Sequence, residues 1–213
     1  MSSGRGASRA VVTCVALIAW AGVLLQLWLP ARHAQQSGGS ALHAALLVLC
    51  YNTVLSNLLV ALVTTRVAAG GAGGWLTRAG TLAATAVYIF VVGLIYSLLL
   101  RSQWAPVGLS RLADELLHDV TPVLYVLWWL VFAPKSGLRW SAPVKWLAYP
   151  LAYFLLSLIA GAYTGRYLYP FGDVAAHGLA PVLRNGALIL VLYLVLGLAA
   201  VGTGRLLSRP ATR

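Results

Sequence analysis

The stretch TLAATAVYIFVVGLIYSLLL, residues 81–100, carries no charged side chain over a length that matches the hydrocarbon core of a bilayer. A helix needs about 20 predominantly apolar residues to make that crossing. Five more runs of this kind flank it, at residues 10–29, 42–65, 116–132, 146–163 and 181–201. The first could serve as the apolar part of a signal peptide behind Arg5 and Arg9, but it is long for that role and is taken as a span. The fourth is the shortest and follows an acidic stretch. The six runs predict an all-α, polytopic membrane protein. Its six transmembrane helices would form one bundle, with residues 1–213 as a single transmembrane domain.

Composition points the same way. Of 213 residues, 61% are hydrophobic and 9% charged, against roughly a quarter charged in soluble domains. So few polar groups cannot cover so much apolar surface in water, so lipid must cover much of it. The formal net charge of +11 raises nucleic-acid binding. Lys and Arg fall in short clusters between the apolar runs rather than in a stripe, which argues against that reading. Cys14 and Cys50 lie inside apolar runs and read as small hydrophobes, not as a disulfide or zinc framework. Gly70, Gly71, Gly73 and Gly74 mark a flexible loop, and Pro134, Lys135, Ser136 and Gly137 mark a turn.

Basic residues on one side of a membrane favour the cytoplasm. Arg5, Arg9, Arg66, Arg78, Lys135, Arg139, Lys145, Arg205, Arg209 and Arg213 would share one side. Arg32, Arg101, Arg111, Arg166 and Arg184 would lie on the other, a split of ten to five among the 15 basic residues. Both termini are therefore expected in the cytoplasm. All four acidic residues (Asp114, Glu115, Asp119 and Asp173) then fall outside, with His33, His43, His118 and His177 at or near the outer span ends.

Polar side chains are costly inside a span and point by default to function, with interhelical hydrogen bonding as the competing explanation. One cluster in the second run comprises Tyr51, Asn52, Thr53, Ser56 and Asn57, where Thr53 and Asn57 share a helix face. The other opens the fourth run with Asp114, Glu115, His118 and Asp119, and either Asp114 or Glu115 is one helical turn from His118. Acids at a helix start also suit the macrodipole, which accounts for Asp114 and Glu115 but not for His118. If the two runs are neighbours, the clusters together offer a hydroxyl nucleophile and a base with an acid to orient it. Glu115 and His118 form half of a di-iron carboxylate pattern, but the chain has one Glu and the ligand count fails. His118, His177 and Asp173 make only a weak surface metal set, and neither a metal nor another cofactor is assigned.

Five stretches carry a resemblance: YNTVLSNLLVALV (51–63), VVGLIYSLLLR (91–101), ADELLHDVTPVLYVLWWLVF (113–132), LAYPLAYFLLSLIAGAYTGRYLYPFGDV (147–174) and LRNGALILVLYLVLG (183–197). In order along the chain, they resemble the bacterial branch of the androgen-induced protein family. Animal members of that family are similar in having six spans, and they hydrolyse fatty acid esters of hydroxy fatty acids through an intramembrane Thr and a His. The resemblance implies a bacterial cytoplasmic membrane, a lipid ester substrate, Thr53 as nucleophile and His118 as base. Ser56 stays open as the nucleophile, because the animal Thr stands at a slightly different spacing from its following Asn or Asp. Asn52, Asn57 and Tyr96 are candidate oxyanion donors. Tyr167, Tyr169, Pro170, Phe171 and Asp173 suit an interfacial aromatic belt, or a lid in which Asp173 contributes to the polar site.

Two other classes compete with an esterase. A small transporter or channel would use the outer acid and His cluster as a proton or cation path, and a lipid-binding protein without catalysis is the other non-enzymatic reading. A haem protein would need paired His on facing helices, and only His118 stands at depth. The sequence does not fix the oligomeric state.

Overall fold

The computed structural model describes residues 2–71 and 73–208, which hold helices and loops and no strand. Arg209 and Arg213 of the inner-side tally lie outside the described residues, as does the side chain of Arg5. The chain divides into two compact units, Met1–Ser136 and Gly137–Arg213.

In the first unit, α1 (Ser2–Gln36) runs through the first apolar stretch and past Pro30. It ends where Gly38 takes φ +78° and the Gly39 N–H donates to the Ala34 carbonyl at 2.7 Å. Such a left-handed turn satisfies carbonyls left open at a helix end. Ser40 then caps α2 (Ala41–Val48), its hydroxyl accepting from the His43 N–H at 3.2 Å.

The 42–65 run is not one straight span. It breaks after α2 and resumes as α3 (Asn52–Ala68) at an angle of 83°. Tyr51 adopts the extended conformation of a residue that precedes a helix (φ −83°, ψ 131°). Asn and Thr follow, types whose side chains compete with helical backbone bonds and so favour helix starts over interiors.

The expected 81–100 helix is α4 (Ala79–Ile95), continuing as a π-helical turn at Tyr96–Leu100. The 116–132 run also sits in a longer helix: α5 (Gly108–Glu115), a second π turn (Leu116–Val120) and α6 (Thr121–Val131). By length and composition, four helices could cross a membrane: Gly6–Gln36, Ala79–Gln103, Ala142–Thr164 and Leu179–Leu207, or five if α2 and α3 make one span. The helix with the fourth run is not among them, and Asp114, Glu115 and Asp119 fall in its first half.

Helices α1, α3, α4 and α6 of this unit pack in a ring, each against two others. Trp20 Nε1 donates to Thr65 Oγ1 at 3.0 Å, and Arg9 Nε donates to the Ala68 carbonyl at 2.9 Å. The start of α1 therefore lies at the end of α3, where a cation also suits the negative pole of the helix. Tyr125 Oη donates to the Leu82 carbonyl at 3.2 Å, joining the middle of α6 to the first turn of α4. The start of α3, the end of α4 and the helix from α5 into α6 consequently meet at the opposite end of the ring, where both polar clusters lie.

The second unit holds α7 (Ala142–Trp146), α8 (Ala148–Thr164), a short α9 (Val174–His177) and α10 (Leu179–Leu207). Small residues on α10 allow close helix approach. A Cβ on Gly197 would stand 2.8 Å from Pro143 Cβ, and one on Gly186 would overlap the Phe154 ring. Before α9, the Tyr169 and Phe171 rings stack at 5.3 Å and Asn185 Nδ2 donates to the Phe171 carbonyl at 3.0 Å.

Candidate active site

Thr53 lies in the first turn of α3 and is half-buried, while Ser56 is 1% exposed and Asn57 fully buried. Asn57 Nδ2 donates to the Thr53 carbonyl at 2.9 Å and to the Leu117 carbonyl at 3.1 Å. One side-chain nitrogen thus ties the turn that bears Thr53 to the residue before His118. The second and fourth runs are neighbours at this level, a relation that sequence left open.

The Leu117 carbonyl is available because of the local backbone. In the π turn the Thr121 N–H reaches Leu116 rather than Leu117. The next residue, Pro122, has no N–H to offer. Asn57 supplies the missing donor. The same segment lies close to α4: a Cβ on Gly93 would stand 2.8 Å from the His118 carbonyl oxygen and 3.3 Å from Pro122 Cβ.

The His118 ring is held on two sides. Its Nδ1 lies 3.0 Å from the Asp114 carbonyl and 3.1 Å from Asp114 Oδ1. Both neighbours are acceptors, so the neutral ring carries its proton on Nδ1 and keeps the Nε2 lone pair for another partner. Tyr96 stacks on the ring at 3.7 Å and 14°, and its hydroxyl donates to Asp114 Oδ2. Asp114 accepts from both groups, which favours its charged form. Tyr96 begins the π turn of α4 and His118 is in the middle of the other, so two facing π turns frame the site. Such turns are rare and occur often at functional sites.

The two acids one turn before His118 part company. Glu115 turns to Arg111 at 3.3 Å on an exposed face, and only Asp114 meets the ring. Arg101, counted from sequence only as an outer charge, binds both carboxylate oxygens of Asp119 at 2.6 and 2.7 Å and lies 5.0 Å from the Tyr96 ring centre. Its role had no signal in one sequence, because residues 101 and 119 are joined only by the antiparallel packing of two helices.

Two candidate oxyanion donors are already engaged. The Asn57 amide gives its hydrogens to two carbonyls, and the Tyr96 hydroxyl serves Asp114. Asn52 is half-buried at the first position of α3. Among the described residues no hydrogen bond joins the Thr53 hydroxyl to His118. Asp173 belongs to the second unit, where its carboxylate caps α9 by accepting from the Ala176 N–H at 3.0 Å. No group of three or more metal-ligating side chains forms among the described residues. Comparisons with family models, with curated proteins and with solved structures give no match to this chain.

Proposed function

We propose that the chain is an intramembrane lipid ester hydrolase in which Thr53 is the nucleophile and His118 the general base. The observation that carries this reading is the placement of the His118 ring. It is fixed by Asp114 and Tyr96 with Nε2 left as acceptor, one Asn57 side chain away from the turn of Thr53. Nε2 takes the Thr53 proton as Oγ1 attacks the ester carbonyl, then returns it to the departing alcohol. Nucleophile and base are often further apart without substrate than in the reacting complex. With Asn57 and Tyr96 engaged, the oxyanion falls to the Asn52 side chain or to the first-turn N–H of Thr53, which has no acceptor within its own helix and lies at the positive end of α3. Half-buried Thr53 suits the nucleophile better than Ser56, which is shut in.

The resemblance to the bacterial branch of the androgen-induced protein family adds the substrate class, fatty acid esters of hydroxy fatty acids or similar lipids. It also adds the setting: six spans in a bacterial cytoplasmic membrane, with both termini inside. Acyl chains would lie between apolar helices, with membrane lipid as the standing partner. In detergent-purified protein, a branched fatty acid ester should be hydrolysed by the wild type, with rates lowered about 10²-fold or more in Thr53→Ala and His118→Ala. Undiminished hydrolysis in both variants would remove the proposal.

The break between α2 and α3 favours one rival, since interrupted membrane helices line the sites of many transporters. Solute flux in proteoliposomes without ester hydrolysis would support that reading instead.

A further inference from the structure

The leucines of α2 have no cover from the rest of the chain. Leu42 and Leu46 are 70 and 52% exposed and stand one turn apart, with Leu49 a turn further along the same stripe. Ala41, Ala44, Ala45 and Val48, on the other side, are less exposed, and α2 packs against α1. His43 is exposed beside the leucine stripe.

The direction of α2 follows from its neighbours. Most of α1 is long and apolar enough to cross a membrane. Beside it α3 runs antiparallel, since Trp20 meets Thr65 and Arg9 meets Ala68. The 17 residues of α3 span about 25 Å at the helical rise, close to the thickness of a hydrocarbon core, so its crossing needs nothing from α2. With α1 and α3 across the bilayer, the 83° bend turns α2 close to the membrane plane.

Two features set its depth. Trp28 and Arg32 lie toward the end of α1, the guanidinium 5.0 Å from the ring centre. Trp is enriched at the membrane–water interface, and Arg near a helix end reaches for that level. The Gly38–Ser40 turn leads directly from this end of α1 into α2. His43 fits the same level, because an imidazole is costly against acyl chains but not beside headgroups.

We infer that α2 is an interfacial helix, seated in the leaflet on the His118 side with Leu42 and Leu46 on its acyl chains, so that its partner is the bilayer surface. This placement requires a membrane around the chain but no ester hydrolysis. The bend ends at Asn52, which puts the turn of Thr53 at the same boundary, where membrane lipids carry their ester groups. For the proposed esterase it means a substrate taken sideways from that leaflet.

The test is the depth of nitroxide labels, read by power-saturation electron paramagnetic resonance on the full chain in vesicles of phosphatidylcholine and phosphatidylglycerol. Cys14→Ala and Cys50→Ala remove the native thiols, and Leu42→Cys or Leu46→Cys carries the label on an exposed position. The two depths should differ by no more than about 3 Å at the tilt usual for membrane helices. Oxygen dissolved in the acyl region should relax both labels more than a water-borne nickel chelate does. A depth difference of about 6 Å, the rise of four residues in a crossing helix, would overturn the inference. So would labels reached mainly by the nickel chelate, which place α2 in water, or by neither reagent, which place it against a second copy of the chain. Leu55→Cys and Leu62→Cys on α3 give the reference direction and should differ by about 10 Å; equal depths there overturn the inference as well, because α3 would not cross.

Discussion

His118 can act as a base only if its other nitrogen is protonated and fixed, and Asp114 does this with a carbonyl and a carboxylate on the same atom. Asp114→Asn can present an N–H where an acceptor stood, which disfavours the working tautomer. We expect kcat for ester hydrolysis to fall about 10²-fold or more, with helix content by circular dichroism unchanged. Glu115→Gln, which alters only an exposed pair with Arg111, should leave kcat as it was; a loss comparable to that of Asp114→Asn would reverse the assignment of the two acids. The polar residues were legible in sequence because each is costly in an apolar run. The choice between Asp114 and Glu115 was not. Both lie one turn before His118, and the π turn through residues 116–120 alters the helical phase that simple spacing assumes.

At the level of elements, the site depends on close backbone approach. Gly93 lets the His118 carbonyl come against α4, and an added Cβ would meet backbone rather than a side chain that can swing away. Gly93→Ala should therefore lower stability by about 1–3 kcal/mol, the usual cost of overpacking, read as a lower midpoint of thermal unfolding in detergent. An unchanged midpoint would mean that α4 and α6 are not so tightly apposed. The helices themselves were legible, since long apolar runs admit little else in lipid. The 83° break near residues 49–51 was not, because no Gly or Pro marks it and hydropathy does not register backbone direction. Pro122 was visible, but its effect was not: the carbonyl it leaves open matters only because Asn57 lies opposite.

For the whole molecule, a bent second span and an acid-bearing fourth helix separate a six-span reading from four or five crossings. Single cysteines in a background of Cys14→Ala and Cys50→Ala distinguish them in intact cells. With six spans and both termini inside, Gly38→Cys, Ala105→Cys and Gly172→Cys should react with a membrane-impermeant maleimide, whereas Gly74→Cys and Gly137→Cys should react only after lysis. Labelling of Gly74→Cys from outside would show that α2 and α3 do not cross together. The charge pattern carried this expectation because Lys and Arg cluster between runs, and the Arg9–Ala68 contact puts Arg9 and the end of α3 at the same end of the ring.

In the proposed reaction, Thr53 becomes a nucleophile through His118. An alkyl fluorophosphonate traps that nucleophile, because attack forms a stable Oγ1–P bond as fluoride leaves. Peptide mass mapping of the purified protein should find the adduct on Thr53 in the wild type and no adduct in His118→Ala. An adduct on Ser56, or labelling of Thr53 that persists in His118→Ala, would contradict the account.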